Sequence, residues 1–391
     1  MWLKNLGHQQ FAERFHCSWM VAITVSLCTI NLCAQQLYQD GVRPGGMGDA
    51  YAAISDDVTG VRFNPSGLIY SPQDLQFEFS TQSLFSSGLP FQTDFENEGN
   101  ISLFSLGGVR NHIERPNRTI PVFVRSNNSA AGMNGQANSL EDKSPLSPTA
   151  TKLSYGGLIN FLKTGFLNQI AIRGFIAKGF FRKTRPDNLS ASQKHFPYWI
   201  AVSLTGKVLN YQYASNIVEA AEVNTEAERT AIKNFFDTND NSSYSGGVDL
   251  GATLHLDPRV RVGMMLTDFL QPNVGLATVS KYPWSVRGGA ALVIKPEWQW
   301  VLAGDLEKRD KDDAMKLYVG TESRLTIAGL DDFKVRFGAN PNWFSAGFSV
   351  MTKQVAVHYA FLDFRHYNSF YNHRLSLSLA LSGGKSEEEA R

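Results

Sequence analysis

The sequence predicts an all-β protein: a transmembrane antiparallel β-barrel of about 14 strands with a short helical N-terminal plug. Three observations predict it. Beyond residue 70, apolar and polar residues alternate in one segment after another. In the C-terminal half, tight joints and longer joints alternate between those segments. Residues 43–68, rich in Gly and Asp and ending in Asn-Pro-Ser-Gly-Leu, sit between an apolar leader and the first strand.

The leader comes first. Met20 to Ala34 is an apolar run of about 15 residues behind a basic flank with Lys4 and Arg14. A bilayer needs roughly 20 residues, so this run reads as a signal peptide, residues 1–34, cut after Ala34. A lipoprotein signal ending at Cys33 is the alternative, and the bulk of Leu32 weighs against it. No later stretch approaches about 18 uninterrupted apolar residues, so no transmembrane helix is expected. Cys17, Cys28 and Cys33 are the only cysteines. The processed chain would therefore hold no disulfide framework, thiol nucleophile or Cys-ligated zinc. Charge is balanced, 37 Lys+Arg against 36 Asp+Glu, so no nucleic-acid partner is expected. Charged residues are 19%, below the quarter or so of a soluble domain, and aromatics at 12% suit interface girdles.

The plug segment is 35–72, with its core at 43–68. Gly45, Gly46 and Gly48 permit tight chain reversal. Asp49–Ile54 is a short helix former. Ser55 or Asp56 can accept free N–H groups of the next turn. Asn64 followed by Pro65 reads as an N-cap with proline at the first helical position. Gly67 releases the chain toward the first strand.

The barrel is expected over 73–383, with a charged tail at 384–391. Leu375, Leu377, Leu379 and Leu381 alternate with Ser376, Ser378 and Ser382. Phe333, Val335 and Phe337 alternate with Lys334, Arg336 and Gly338, and Val248 to Leu256 with Asp249, Gly251, Thr253 and His255. Such segments put one face on lipid and the other on a polar lumen. Similar runs lie near 75–83, 101–110, 119–125, 152–161, 168–182, 196–213, 259–270, 281–295, 298–308, 314–328, 343–352 and 354–363. That makes about 15, and bacterial barrels take even numbers, so one early segment is over-counted. Joints at 256–259, 295–298, 329–332 and 352–353 are tight, with longer ones at 214–242, 271–280, 309–313 and 364–372 between them. Short turns belong to the periplasm and long loops to the outside. Residues 126–150 read as a flexible external loop, and 216–236 as an amphipathic helix within another. The short–long parity fails near 183–195.

Arg43, Gly46, Met47, Gly48, Asp56, Asp57, Asn64, Pro65, Gly67 and Leu68 are the candidate plug and gating residues. Asp56 and Asp57, adjacent in sequence, point in different directions and suit capping and pairing with Arg43 or Arg62 better than shared acid–base chemistry. His255, His358 and His373 are not spaced as a ligand cluster. Asp305 to Asp313 is a mixed charge run read as a solvated external loop. Gly45-Gly-Met-Gly48 follows no strand and is no dinucleotide loop. No serine nucleophile elbow occurs. No motif calls for a catalytic residue, metal or cofactor, so the chain is not expected to be an enzyme.

Met47, Gly48, Ala50, Ala53, Asp56, Asp57, Asn64, Pro65, Gly67 and Leu68 resemble the N-terminal text of the FadL-like outer-membrane barrel family, with Ser66 in place of a more usual alanine. Leu302–Leu306, Val335–Ala339, Trp343–Ser349, Val357–Phe361 and His373–Ser378 look like the closing strands of its PorV-type branch. The chain departs from the family in lacking a terminal aromatic residue. The resemblance implies a bacterial outer-membrane location, lipid around the barrel, and a plug that gates uptake of a hydrophobic ligand, as in FadL and TodX proteins. For the PorV-type branch it implies instead a component of type IX secretion with protein partners. A soluble secreted β-protein is the third reading.

Overall fold

A computed structural model describes residues 41–71, 73–85, 102–114, 151–163, 167–181, 199–213, 230, 234, 241–257, 259–276, 279–295, 300–327, 332–352, 354–363 and 371–381. Two short helices, α1 (Val42–Gly46) and α2 (Gly60–Phe63), and a 3-10 helix over Pro65–Tyr70 precede fourteen strands. The strands are β1 (Leu75–Phe85), β2 (Ser102–Glu114), β3 (Thr151–Lys163), β4 (Leu167–Phe181), β5 (Trp199–Tyr213), β6 (Ser242–Asp257) and β7 (Val260–Thr267). They continue as β8 (Ser285–Lys295), β9 (Trp300–Arg309), β10 (Lys316–Leu325), β11 (Asp332–Ala339), β12 (Phe344–Met351), β13 (Val355–Asp363) and β14 (Tyr371–Leu381).

Each strand pairs antiparallel with the next, and β14 pairs with β1 from Leu75 opposite Leu381 to Phe85 opposite Tyr371. The ring is closed. Closure leaves no strand edge, so every wall N–H and C=O can be paired within hydrocarbon. The period-two pattern sorts as it must. Phe77, Phe79, Leu375 and Leu377 face outward and are exposed, while Gln76, Glu78, Ser80 and Ser376 face inward and are buried. An apolar exterior with a polar interior is the inverse of a soluble barrel and fits lipid outside. Tyr155, Phe180 and Trp300 face outward near one end, and Phe161, Tyr244 and Phe344 near the other, as interface girdles do.

β1 begins and β14 finishes at one end of the barrel, the termini end. The tight joints after β6, β8, β10 and β12 open there too, and the joints after β5, β7, β9, β11 and β13 open at the opposite, loop end. Of the fifteen expected segments, 119–125 lies outside the described residues, and the ring closes without it because β2 pairs directly with β3. This changes one expectation. With 119–125 removed from the count, the connection 115–150 joins β2 to β3 at the termini end, and 182–198 joins β4 to β5 there as well. Residues 126–150 and 183–195 lie outside the described residues; the strand ends that bracket them, Glu114 and Thr151, Phe181 and Trp199, are on the side of the short turns. The strand count near 183–195 needs no repair; the two connections are long on the short-turn side. Of the helix expected at 216–236, only residues 230 and 234 are described, and both are helical.

Candidate functional site

The inward side of the wall would leave a wide lumen, and residues 41–71 lie in it. Nearly all of this segment is buried. α1 lies against β11 to β14, and the 3-10 helix lies against β2 to β6. Gly48 and Asp49, both with positive φ (60° and 64°), reverse the chain after α1. The local elements differ from those expected. Gly45 and Gly46 are helical and close α1, where a Cβ on Gly45 would come to 2.7 Å from Arg374 Nη1. Asp49–Ile54 is turn, not helix. The carboxylate that meets the free N–H before α2 belongs to Asp57, at 3.0 Å from Thr59 N, and not to Ser55 or Asp56. Ser55 instead donates to Tyr51 O. Asn64 does precede Pro65 at the first helical position, but its side chain makes no capping bond. Its Nδ2 donates to Ala52 O, Ala252 O and Thr253 Oγ1, which ties the segment to β6.

The wall is cut to receive this backbone. Inward-facing Gly320 and Gly338, on β10 and β11, lie so close to Met47 and Gly48 that a Cβ on either would clash with backbone. Gly263 on β7 stands in the same relation to Ala52. A Cβ on Gly107 or Gly179 would come within 2.6 Å of Val58 or Ile69. At outward-facing Gly174, Gly206 and Gly288 an added methyl would meet nothing within 4 Å. The contrast follows the segment's path.

Arg43 is the electrostatic centre. Its Nε and Nη2 donate to Glu322 of β10 at 2.8 and 3.0 Å, a bidentate pair. Its Nη1 reaches Asp56 at 2.5 Å, Asp57 at 3.2 Å and Tyr51 Oη at 3.0 Å. Arg336 also donates to Glu322, at 2.6 Å, and Arg261 pairs with Asp56 at 3.3 Å. Burial alone would lower the Arg43 pKa; Asp56 and Glu322 outweigh it and hold it well above its usual value. Burial likewise pushes Asp56 up, and Arg43 and Arg261 bring it below the usual carboxylate range. Further round the wall, Asp305 accepts the Tyr51 and Ala52 N–H groups at 2.8 and 2.9 Å, and Ser345 accepts the Gly48 N–H at 3.0 Å.

The expected residues thus divide. Arg43, Asp56 and Asp57 meet in one network. Asn64 and Ser66 meet Thr253 of β6. Gly46, Met47 and Gly48 touch β10 to β12, and Leu68 belongs to an apolar cluster with Val58, Val61, Ile69, Val109, Leu158, Phe175, Ala177 and Ala201. Pro65 starts the 3-10 helix, and a Cβ on Gly67 would reach 2.5 Å from Ser55 O. Glu322, Asp305, Thr253, Arg261 and Arg336 were not among them. Asp305 and Glu307 are a correction: they are buried, inward-facing wall residues of β9 and not a solvated loop. Their alternation with Gly304 and Leu306 is the signal that places them. The three histidines are apart: His255 stacks on Tyr70, His358 bonds Ser349 and Ser378, and His373 bonds Tyr359.

The two larger of the described cavities flank the segment toward the two ends of the barrel. One of about 450 Å³ opens at the termini end and is lined by Arg43, Asp56, Asp57, Arg261, Glu322 and His358 among others. One of about 110 Å³ lies at the loop end around Arg287 and Tyr282. Between them pack Met47, Ala50, Tyr51, Ala53, Ile54 and Phe63 against Ala291, Ala303 and Tyr318. Next to Asn64–Gly67, Leu68 and Ile69 pack with Val58 and Val61 against Val109, Leu158, Phe175, Ala177 and Ala201.

No protein-family model matches the chain, and no curated protein matches it. Solved structures do. The barrel is similar to the Ralstonia pickettii toluene transporter TbuX, at 10% identity over 88% of this chain and 98% of that one, with a TM-score of 0.49. It is similar to the CymD monoaromatic hydrocarbon channel at 12% identity over 88% and 98%, TM-score 0.47. It is similar to the P. putida toluene transporter TodX at 11% identity over 87% and 99%, TM-score 0.43. At such identity and overlap the likeness is one of barrel shape, and no cargo follows from it.

Proposed function

We propose that the chain is an outer-membrane barrel channel for small molecules in which residues 41–71 act as a plug. What supports this reading is the fit between segment and wall: inward glycines occur where the segment's backbone passes, and a buried arginine joins it to Glu322. Passage then requires displacement of the segment, since packed side chains separate the two cavities. Arg43, Gly46, Met47, Gly48, Asp56, Asp57, Asn64, Pro65, Gly67 and Leu68 are the residues that hold or release it. A hydrophobic permeant is what the resemblance of the 43–68 text to FadL-like proteins implies.

The test is deletion of residues 43–68 and measurement of solute leak from proteoliposomes. Heat-modifiable gel mobility checks that the shortened barrel still folds. A higher leak supports a plug; an unchanged leak from a folded barrel rejects it.

One observation favours a second reading. Among the described residues, apolar side chains next to Asn64–Gly67 pack tightly against the wall. That suits a barrel that works through protein partners at its ends, as the PorV-like alternative holds. Stoichiometric protein partners in a pull-down from outer membranes would favour it; a co-purified apolar small molecule would favour the channel.

A further inference from the structure

We propose that the cavity at the loop end of the lumen binds a small oxyanion, a carboxylate or phosphate group. This goes beyond the plug reading and does not require the segment to move. The cavity of about 110 Å³ has room for several waters, or for a guest of a few heavy atoms.

Its wall carries five cationic side chains against three carboxylates. Lys207 Nζ lies 2.7 Å from Asp249 and 2.8 Å from Asp268, so this trio carries one surplus negative charge. Arg62, Arg173, Arg287 and Arg309 stand against that surplus and Glu307, which leaves the wall with a formal excess of two positive charges. Asp49 and Asp305 also act on Arg287. Burial drives Asp49 toward its neutral form, and the Tyr51 and Ala52 N–H groups occupy Asp305 Oδ2. These hydrogen bonds do not discharge Asp305, so the excess of two positive charges is that of the cavity's own lining side chains.

Arg287 gives the excess a direction. It is 7% exposed and lies over the Tyr318 ring, 3.9 Å from the centroid. Its ion pairs are long, 3.9 Å to Asp305 and 3.5 Å to Glu307. Its Nε and Nη2 have no hydrogen-bond partner among the described residues. A guanidinium offers five N–H donors in a planar fork that matches carboxylate and phosphate oxygens. Two nitrogens of a buried fork that meet carboxylates only at ion-pair range, without a hydrogen bond, cost free energy until a closer acceptor arrives.

A second donor lines the same cavity. Gln169 Nε2 donates to Tyr211 Oη at 2.8 Å, and Tyr211 donates to Tyr282 Oη at 2.9 Å. The Tyr282 hydroxyl already accepts, which leaves its own proton for an acceptor in the cavity. An apolar guest would leave these donors unpaired. A cation would meet the arginines. An oxyanion satisfies both sets.

The test uses the full barrel in detergent micelles. Thermal unfolding is followed with inorganic phosphate, succinate or chloride at fixed ionic strength. A saturable rise in Tm with phosphate or succinate, absent with chloride, is the expected result, and whichever acts identifies the oxyanion. Tyr282→Phe keeps the packing and is expected to raise the half-saturating concentration about tenfold, the effect of one lost hydrogen bond to a charged group. Arg287→Lys, which keeps the charge and loses the fork, is expected to raise it further. Equal shifts with all three salts, or saturation that Tyr282→Phe leaves untouched, overturn the proposal. Leak is not read here, so this experiment and the deletion of 43–68 can fail separately.

Discussion

Arg43 holds two parts of the chain 279 positions apart, and the strength of that hold can be bounded. Breaking a fully buried ion pair costs about 3–5 kcal/mol. Asp56 and Asp57 keep 22% and 23% of their side-chain surface in water, and Glu322 keeps Arg336, so the buried-pair figure is an upper bound here. Arg43→Gln is therefore expected to lower unfolding stability in micelles by about 1–3 kcal/mol, the range for a lost charged hydrogen bond. The pH dependence has a definite sign. A carboxylate whose folded pKa is depressed contributes stability above its unfolded pKa and loses it as pH falls through the folded value. For Asp56 that loss falls below about pH 4, so a titration of stability from pH 8 to 5 should show no step from this group. Asp49 runs the other way: it is fully buried, both carboxylate oxygens lack a partner, and burial raises its pKa. Asp49→Asn tolerates the same positive φ and removes the charge, so stability at pH 7 is expected to rise by about 1 kcal/mol. At this scale the sequence was half legible. The pairing of Arg43 with Asp56 and Asp57 is local and could be read. Glu322, Asp305 and Arg336 are supplied by distant strands, and only knowledge of the register brings them in.

At the scale of elements, the strands were the most readable part, because lipid outside and a polar lumen inside force a strict period of two. Strand bounds at β3, β4, β13 and β14 fall within a few residues of the alternating text. The segment 41–71 was harder. Its short helices have too few turns to declare themselves through periodicity, and their ends are set by contacts with the wall. Hence Asp49–Ile54, composed like a helix, is a turn held by Asp305 and Asn64. The wall glycines supply a test that separates fit from general stability. Gly338→Ala and Gly320→Ala place a methyl against the backbone of Gly48 and Met47. Gly206→Ala places one outward, where nothing lies within 4 Å. If the segment is a plug, the first two are expected to raise proteoliposome leak and lower stability by about 1–3 kcal/mol, the usual cost of overpacking. The third should leave both unchanged. Equal behaviour of all three would mean that the glycines serve the strands and not the seat.

For the whole molecule, the ring geometry decides which compartment each connection meets. Both ends of the barrel sequence, Leu75 and Leu381, lie at the termini end, and so do the tight joints. In a barrel of this kind that end faces the periplasm. The connections 115–150 and 182–198 leave from it, because Glu114 pairs with Thr151 and Phe181 with Trp199. Composition alone could not reveal this: a long Ser- and Asn-rich stretch looks external wherever it sits, and one spurious strand reverses every later assignment. Downstream of Cys33 the chain has no cysteine, so in a chain cut after Ala34 single introduced thiols would report cleanly. Ser129→Cys lies in the 115–150 connection and Asp313→Cys in the β9–β10 joint at the loop end. In intact cells a membrane-impermeant maleimide is expected to label Asp313→Cys and spare Ser129→Cys. Permeabilising the outer membrane should expose both. Labelling of Ser129→Cys in intact cells, with Asp313→Cys protected, would turn the barrel over and place the cavity around Arg287 on the periplasmic side.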